Sequence, residues 1–319
     1  MEGVPPATGA RAIKSAPAPS SRRAREGQTF GGASSLVRYA NLVKLPHTVF
    51  ALPFALVGVT LASYVREIGI REVVWVAVAF SAARFAAMGF NRIVDRRFDA
   101  LNPRTAAREI PSGAIGVRAA SLAVVAAAAL FVAAAWRLNP LCLALSPVAL
   151  AWVLCYSFTK RFTRWAHLVL GIGLGIAPVG GYLAVTGAWS SPWWLLPLLA
   201  MAVMSWVAGF DIFYALPDAA FDRAQQLHSV PAALGERRAI AVARGLHALT
   251  ILSLAAVGFG IGAGPLYAAG VATVAVLLLY EHSLVRPDDL RRLDAAFFTL
   301  NGIISIAFFG FVLAERLTR

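Results

Sequence analysis

The chain is 319 residues long, 59% hydrophobic and only 14% charged, with a mean hydropathy of +0.69. A soluble domain carries about 25% charged residues, so that class is excluded. The formal net charge of +13 does not point to nucleic acid, because the basic residues gather between long apolar runs, where they set orientation in a membrane.

Residues 1 to about 35 are rich in Ala, Pro, Ser, Gly and Arg and contain no apolar run, which predicts a disordered basic tail rather than a signal peptide. Apolar runs of about 20 residues follow, rich in Ala, Leu, Val and Gly and without period-two alternation, so each reads as a transmembrane helix. Nine such spans fall at about 46–64, 73–92, 117–136, 139–157, 166–186, 192–215, 238–260, 264–281 and 294–314. The predicted fold is all-α, a polytopic membrane domain over residues 36–319. Spans three and four form a hairpin at Asn139-Pro140. Span five carries GIGLGIAPVGG, whose small residues permit close helix approach. Trp193 and Trp194 read as interfacial anchors before span six. Cys142 and Cys155 lie about 20 Å apart along one helix, too far for a disulfide.

Alternating spans place the loops after spans two, four, six and eight on the side of the N-terminus. Those loops hold most of the cations, from Arg96 and Arg97 through Lys160, Arg161 and Arg223 to Arg286, Arg291 and Arg292; the other side holds Arg66, Arg71 and Arg137. This bias predicts a multi-pass protein of the cytoplasmic (inner) membrane with its N-terminus in the cytoplasm.

Two acidic stretches occupy that same side. NRIVDRRFD ends span two with Asn91, Asp95 and Asp99; DIFYALPDAAFD ends span six with Asp211, Tyr214, Asp218 and Asp222. At about 100° per residue, each set shares one helix face. Carboxylates repeated along one face repel unless cations hold them. Hard oxygen ligands with open positions suit Mg²⁺ carrying a phosphate-bearing substrate. Two rows on one membrane side could converge on one diphosphate.

Basic and aromatic residues surround these rows. Arg84 lies inside span two on the face of Asn91 and Asp95; at that depth it faces the bundle interior, to clamp a phosphate or a carboxylate, or else to pair with Asp95. Arg104 and Arg108, in the loop NPRTAAREIPSG, carry guanidinium forks matched to phosphate. Tyr156 and Lys160, four apart at the end of span four, share a face on which the lysine can meet a diphosphate as a point charge with the Tyr hydroxyl beside it, and Lys44, before span one, is a weaker version of the same diphosphate-binding arrangement. No two of the five histidines stand at a metal-ligand spacing such as i, i+4, so zinc is not expected. His47 and His228 sit at membrane ends, and His228-Ser229 reads as loop capping.

NRIVDRRFD with the following NPRTAAREIPSG, and DIFYALPDAAFDRAQQLHSVPA, resemble the two signatures of the UbiA superfamily of intramembrane aromatic prenyltransferases. Tyr156 to Lys160 matches its YxxxK element, and FFTLNGIISIAFF resembles the last helix of its 4-hydroxybenzoate polyprenyltransferases. The resemblance implies nine helices around a central cavity with a cytoplasmic cap, Mg²⁺, a polyprenyl diphosphate donor and an aromatic carboxylate acceptor. It implies that Asn91, Asp95, Asp99, Asp218 and Asp222 bind diphosphate through Mg²⁺, with Arg104, Arg108 and Lys160 steadying the phosphates. Asp211, with Tyr214 nearby, would orient or deprotonate the acceptor. The first signature departs from its commonest form in having Arg92, not Asp, after Asn91. The resemblance implies a 4-hydroxybenzoate as acceptor or, alternatively, a dihydroxynaphthoate of the futalosine menaquinone route. A cation-coupled transporter is the reading from another class, but it would place carboxylates near mid-span.

Overall fold

The structure, a computed structural model, describes residues 30–32, 34–285 and 299–319, without the side chains of 46–50. The predicted tail as far as residue 29, Arg286, Arg291, Arg292, the His47 side chain and the start of the ninth predicted span lie outside the described residues.

Twelve α-helices make up the described chain, in the order α1 (Ser35–Leu42), α2 (Leu45–Ala62), α3 (Ile70–Leu101), α4 (Val117–Leu138), α5 (Pro140–Cys155), α6 (Ala166–Thr186), α7 (Leu195–Ala215), α8 (Ala219–Ala224), α9 (Val230–Leu234), α10 (Glu236–Gly260), α11 (Pro265–Leu284) and α12 (Asn301–Thr318). Helix is the form that satisfies every backbone group within one segment in lipid. Helix α1 begins at a serine cap, Ser34, whose hydroxyl accepts from Val37 N. The backbone of Phe30 is fastened to it through the Asn41 side chain, which both donates and accepts there. Asn139 closes the predicted hairpin: it caps α5 through Cys142 N at 2.9 Å and donates to the Leu183 and Ala184 carbonyls of α6.

Eight of the described helices are long and apolar enough to cross a membrane. The expected count of nine is not reached among the described residues, because the apolar part described in α2 is the shorter Ala51–Ala62. The span expected at 73–92 is instead the 32-residue α3. At 1.5 Å per residue α3 runs about 48 Å, against about 30 Å of hydrocarbon, so its last turns extend beyond the apolar stretch.

Helix α6 packs between α2 and α7, α7 packs on α10, and α12 closes back onto α2 and α11, while α3 and α4 pair beside them. The glycines of span five make this possible. A Cβ at Gly171 would strike the Met204 carbonyl, one at Gly175 would stand 2.7 Å from the Ala200 carbonyl, and one at Gly181 would strike the Ala55 carbonyl. The core between these helices is built on Phe54, Trp206 and Phe308, with the Phe54 and Trp206 rings 4.7 Å apart.

Candidate active site

Two helix ends and two loops build one chamber. The C-terminal turns of α3 bring Asn91, Asp95 and Asp99; the end of α7 and the segment after it bring Asp211, Tyr214, Asp218 and Asp222. The loop after α3 brings Arg104 and Arg108, and the turn after α5 brings Tyr156 and Lys160. Lys44 and Arg84 complete the set: all 13 residues singled out above line this single cavity of about 1470 Å³.

The second acidic row departs from expectation in its backbone. It is not one α-helix. Pro217 supplies no N–H, and the chain tightens into a 3-10 turn over Leu216–Asp218 before α8 resumes. Asp218 and Asp222 are therefore set at a different rotation from Asp211 than a uniform helix gives. Tyr156 and Lys160 likewise stand on a 3-10 turn, Tyr156–Arg161, rather than on the end of an α-helix.

Four of the five carboxylates, Asp95, Asp99, Asp218 and Asp222, meet a cation. Arg108 Nη1 donates to Asp99 Oδ1 at 2.6 Å, with Arg92 Nη1 at 4.0 Å from Asp99 Oδ2. Arg161 Nη2 donates to Asp95 Oδ1 at 2.9 Å, while Asn91 Nδ2 donates to Asp95 Oδ2 at 2.8 Å. Asp218 accepts from Arg104, through Nε at 2.9 Å and through a shorter contact from Nη2, and from Asn102 Nδ2 at 3.1 Å. Lys160 Nζ stands 3.6 Å from Asp222 Oδ2. The repulsion expected within the acidic rows is thus answered by cations from neighbouring segments. Asp95 takes Arg161 as its partner and not Arg84, so the pairing alternative for Arg84 is not realised; Arg84 Nε is buried without a hydrogen-bond partner.

Tyr214 is bracketed by positive charge. Its hydroxyl accepts from Lys44 Nζ at 2.9 Å, and the Arg104 guanidinium lies over its ring, 4.7 Å from the centroid. The cap is short: Asn102, Thr105, Arg108 and Glu109 are buried in the loop after α3, and Ser229 caps α9, as loop capping required.

Sequence reasoning missed Arg161, Asn102 and His167 as site residues, and it treated Arg92 only as a missing ligand. Arg161 adjoins Lys160 and Asn102 adjoins the NPR turn, so proximity to the motifs was a usable signal. His167 had none: it is one histidine at the start of an apolar helix, yet its Nδ1 lies 2.7 Å from Asp211 Oδ2.

Among the described residues no three His, Cys, Asp or Glu side chains already close on one point as a metal cage. The donor chemistry nonetheless fits a hard cation. Asp99 Oδ2 and Asp222 Oδ2 are buried carboxylate oxygens with no hydrogen-bond partner, one from each acidic row.

A second cavity, of about 1300 Å³, abuts the first and shares Arg84, Met88, Tyr156, Leu170 and Leu174 with it. Its wall is otherwise almost wholly apolar, from Ala79 and Ala83 of α3 through Val153 of α5 to Gly173, Ala177 and Gly180 of α6. Together the two spaces suit an amphiphile with an anionic head and a hydrocarbon tail.

Comparison with known proteins agrees with this geometry. The sequence model of the UbiA prenyltransferase family matches residues 51–303. A 4-hydroxybenzoate octaprenyltransferase of Sodalis glossinidius (strain morsitans) is 32% identical over 231 residues, 72% of this chain and 78% of that protein. The apo structure of a UbiA homolog from Aeropyrum pernix K1 superposes with a TM-score of 0.77 at 34% identity, over 84% of this chain and 98% of that one. A UbiA homolog from Archaeoglobus fulgidus, bound to GPP and Mg²⁺, has the same fold, with a TM-score of 0.70 at 22% identity over 88% of this chain and 99% of that one. The chain belongs to the UbiA prenyltransferase family and is a multi-pass membrane prenyltransferase.

Proposed function

We propose that the protein transfers a polyprenyl group from a polyprenyl diphosphate to a ring carbon of an aromatic hydroxy acid of the 4-hydroxybenzoate type, in quinone biosynthesis, at the cytoplasmic face of the inner membrane. One observation carries this reading: the two acidic rows and the phosphate-matching cations line one chamber, and that chamber abuts an apolar cavity. The names of the 4-hydroxybenzoate octaprenyltransferases to which the chain is similar support the acceptor class.

The diphosphate head binds in the polar chamber, where Arg104, Arg108, Lys160 and Lys44 exchange carboxylate or phenol contacts for phosphate oxygens. Asn91, Asp95 and Asp99 on one side and Asp218 and Asp222 on the other would hold Mg²⁺, which would replace Arg92 and Lys160 as the positive charge beside Asp99 Oδ2 and Asp222 Oδ2, two buried oxygens that accept no hydrogen bond. Bound there, magnesium neutralises charge that grows on the departing diphosphate. The tail lies in the apolar cavity. The bond from prenyl C1 to its diphosphate oxygen breaks, and the electron pair leaves with the diphosphate. An allylic cation remains, shielded from water by the surrounding helices. The ring carbon ortho to the acceptor hydroxyl attacks C1, forming the new C–C bond, and its proton passes to Asp211. Arg84, at the seam between the cavities, pairs with the acceptor's carboxylate. Tyr156, beside it, lines the same seam.

Membranes carrying the protein, supplied with labelled polyprenyl diphosphate, 4-hydroxybenzoate and Mg²⁺, should form a prenylated acid that chelation of the metal prevents. No transfer to any aromatic acid defeats the proposal; transfer to a dihydroxynaphthoate alone reassigns the ring.

A further inference from the structure

His167 stands in the first turn of α6 and is almost fully buried, at 1% exposure. Both of its ring nitrogens are engaged. The backbone N–H of Val230 donates to Nε2 at 3.3 Å, and Nδ1 lies 2.7 Å from Asp211 Oδ2. A peptide N–H can only donate, so Nε2 presents its lone pair. The ring proton is then on Nδ1 and is given to Asp211 Oδ2. A protonated imidazolium would set N–H against N–H at Val230.

Val230 is the first residue of α9, and two residues earlier the N–H of His228 donates to the Lys160 carbonyl at 2.7 Å. The segment from α8 to α9 is thereby clipped at two places. One clip holds the residue whose ammonium faces Asp222, and the other holds the histidine that faces Asp211.

We infer that His167 is a positioning residue for Asp211. It fixes one carboxylate oxygen from inside the protein, so that Oδ1 is the oxygen presented to the cavity Asp211 lines. The inference rests on the reading of Asp211 as the group that handles the acceptor. Through Val230 it also links the setting of that carboxylate to the loop that follows the second acidic row. A histidine kept only to fill space has no need of a fixed tautomer, and an apolar side chain serves that purpose without a buried polar cost.

Two amide variants divide the two contacts. In His167→Asn the side-chain amide occupies the place of Nδ1 and still donates to Asp211. In His167→Gln it reaches the place of Nε2 and can accept from Val230, but the bond to Asp211 is lost. We expect kcat to fall about 10²-fold in His167→Gln, the low end of what a placed acid or base supplies, with the KM for the diphosphate donor unchanged. His167→Asn should stay within about tenfold of the parent, although it gives up the Val230 contact. In an Asp211→Asn background, His167→Gln should cost little more, as two groups acting as a unit do. Parallel losses of kcat and thermal stability in both variants, or a parental kcat in His167→Gln, would overturn the inference. The tautomer itself is read from the imidazole ¹⁵N shifts of the unmodified protein: a proton on Nε2 overturns it whatever the enzyme turns over. A parent inactive toward every aromatic acid instead sinks the prenyl-transfer reading.

Discussion

Lys44 and Tyr214, 170 residues apart in sequence, are joined by a 2.9 Å hydrogen bond from the ammonium to the phenol oxygen. The lysine holds this place from a left-handed backbone, with φ 47° and ψ 64°, at the junction of α1 and α2. That conformation costs an L residue about 1–2 kcal/mol, so the local backbone preference is overridden by where the side chain must go.

Lys44→Gly separates the two effects. Glycine adopts the left-handed region freely but loses about 0.5–1 kcal/mol in chain entropy, so thermal stability should change little. Prenyl transfer should drop at least about tenfold, as expected for loss of one phosphate-facing cation worth about 1.5–3 kcal/mol. Unchanged kcat/KM in this variant would remove Lys44 from the site.

Asp95→Ala and Asp218→Ala each take one carboxylate from opposite acidic rows. Turnover should fall by at least about 10²-fold in either, with the protein still extracted from the membrane fraction in normal amount. The assay is labelled prenyl transfer set against immunoblot yield. Activity within tenfold of the parent in either variant means the two rows do not act on one diphosphate.

Metal dependence has a signature that needs no turnover. Pyrophosphate with Mg²⁺ should raise the melting temperature of the purified protein, since a ligand at 100 times its Kd adds about 2.7 kcal/mol. The shift should vanish with EDTA and shrink in Asp99→Asn and Asp222→Asn, which alter the two buried oxygens that accept no hydrogen bond. An equal shift with and without EDTA contradicts the assignment.

Arg84→Leu should raise the KM for the aromatic acid by about 10- to 100-fold, the cost of a lost charge-assisted contact, while the donor KM holds. The reverse pattern would place Arg84 on the diphosphate.

Neighbouring glycines of α6 predict opposite outcomes. Nothing lies within 4 Å of a Cβ built on Gly180, which lines the apolar cavity. Gly180→Leu should therefore fold and shift preference from long to short prenyl diphosphates. A Cβ on Gly181 meets the Ala55 carbonyl, a backbone atom that cannot rotate away. Gly181→Leu should lose folded protein, since overpacking costs about 1–3 kcal/mol or more. Unaltered chain-length preference in Gly180→Leu would show that the tail runs elsewhere.

Much of this site was legible because its residues carry their own signal. Asp95 and Asp99 punctuate an apolar helix at fixed intervals, and charge at a span's end demands a reason whatever the fold. Arg104, Arg108 and Lys160 stood out on the same ground. Pairing was not legible. Nothing local to Asp95 names Arg161 as its partner, and nothing in AHLVLG connects His167 to Asp211, 44 residues on. His247 and His282 meet at 3.0 Å from different helices, where a search by sequence spacing finds no pair. Counting turns at a constant 100° also failed across Pro217, because the missing N–H lets the helix tighten there. The length of α3 was underestimated for a related reason. Its last turns are amphiphilic, so hydropathy ends the span near residue 92 while the hydrogen-bonded helix continues to Leu101.

The shared wall of Arg84, Met88, Tyr156, Leu170 and Leu174 bears on how the enzyme meets its donor. The polyprenyl diphosphate proposed for these two spaces carries a hydrocarbon tail that partitions into lipid, so its supply is counted per area of bilayer rather than per litre. Reconstituted activity should then follow mole fraction. Diluting the vesicles with buffer leaves the rate per enzyme unchanged, whereas diluting the donor with inert phospholipid slows it.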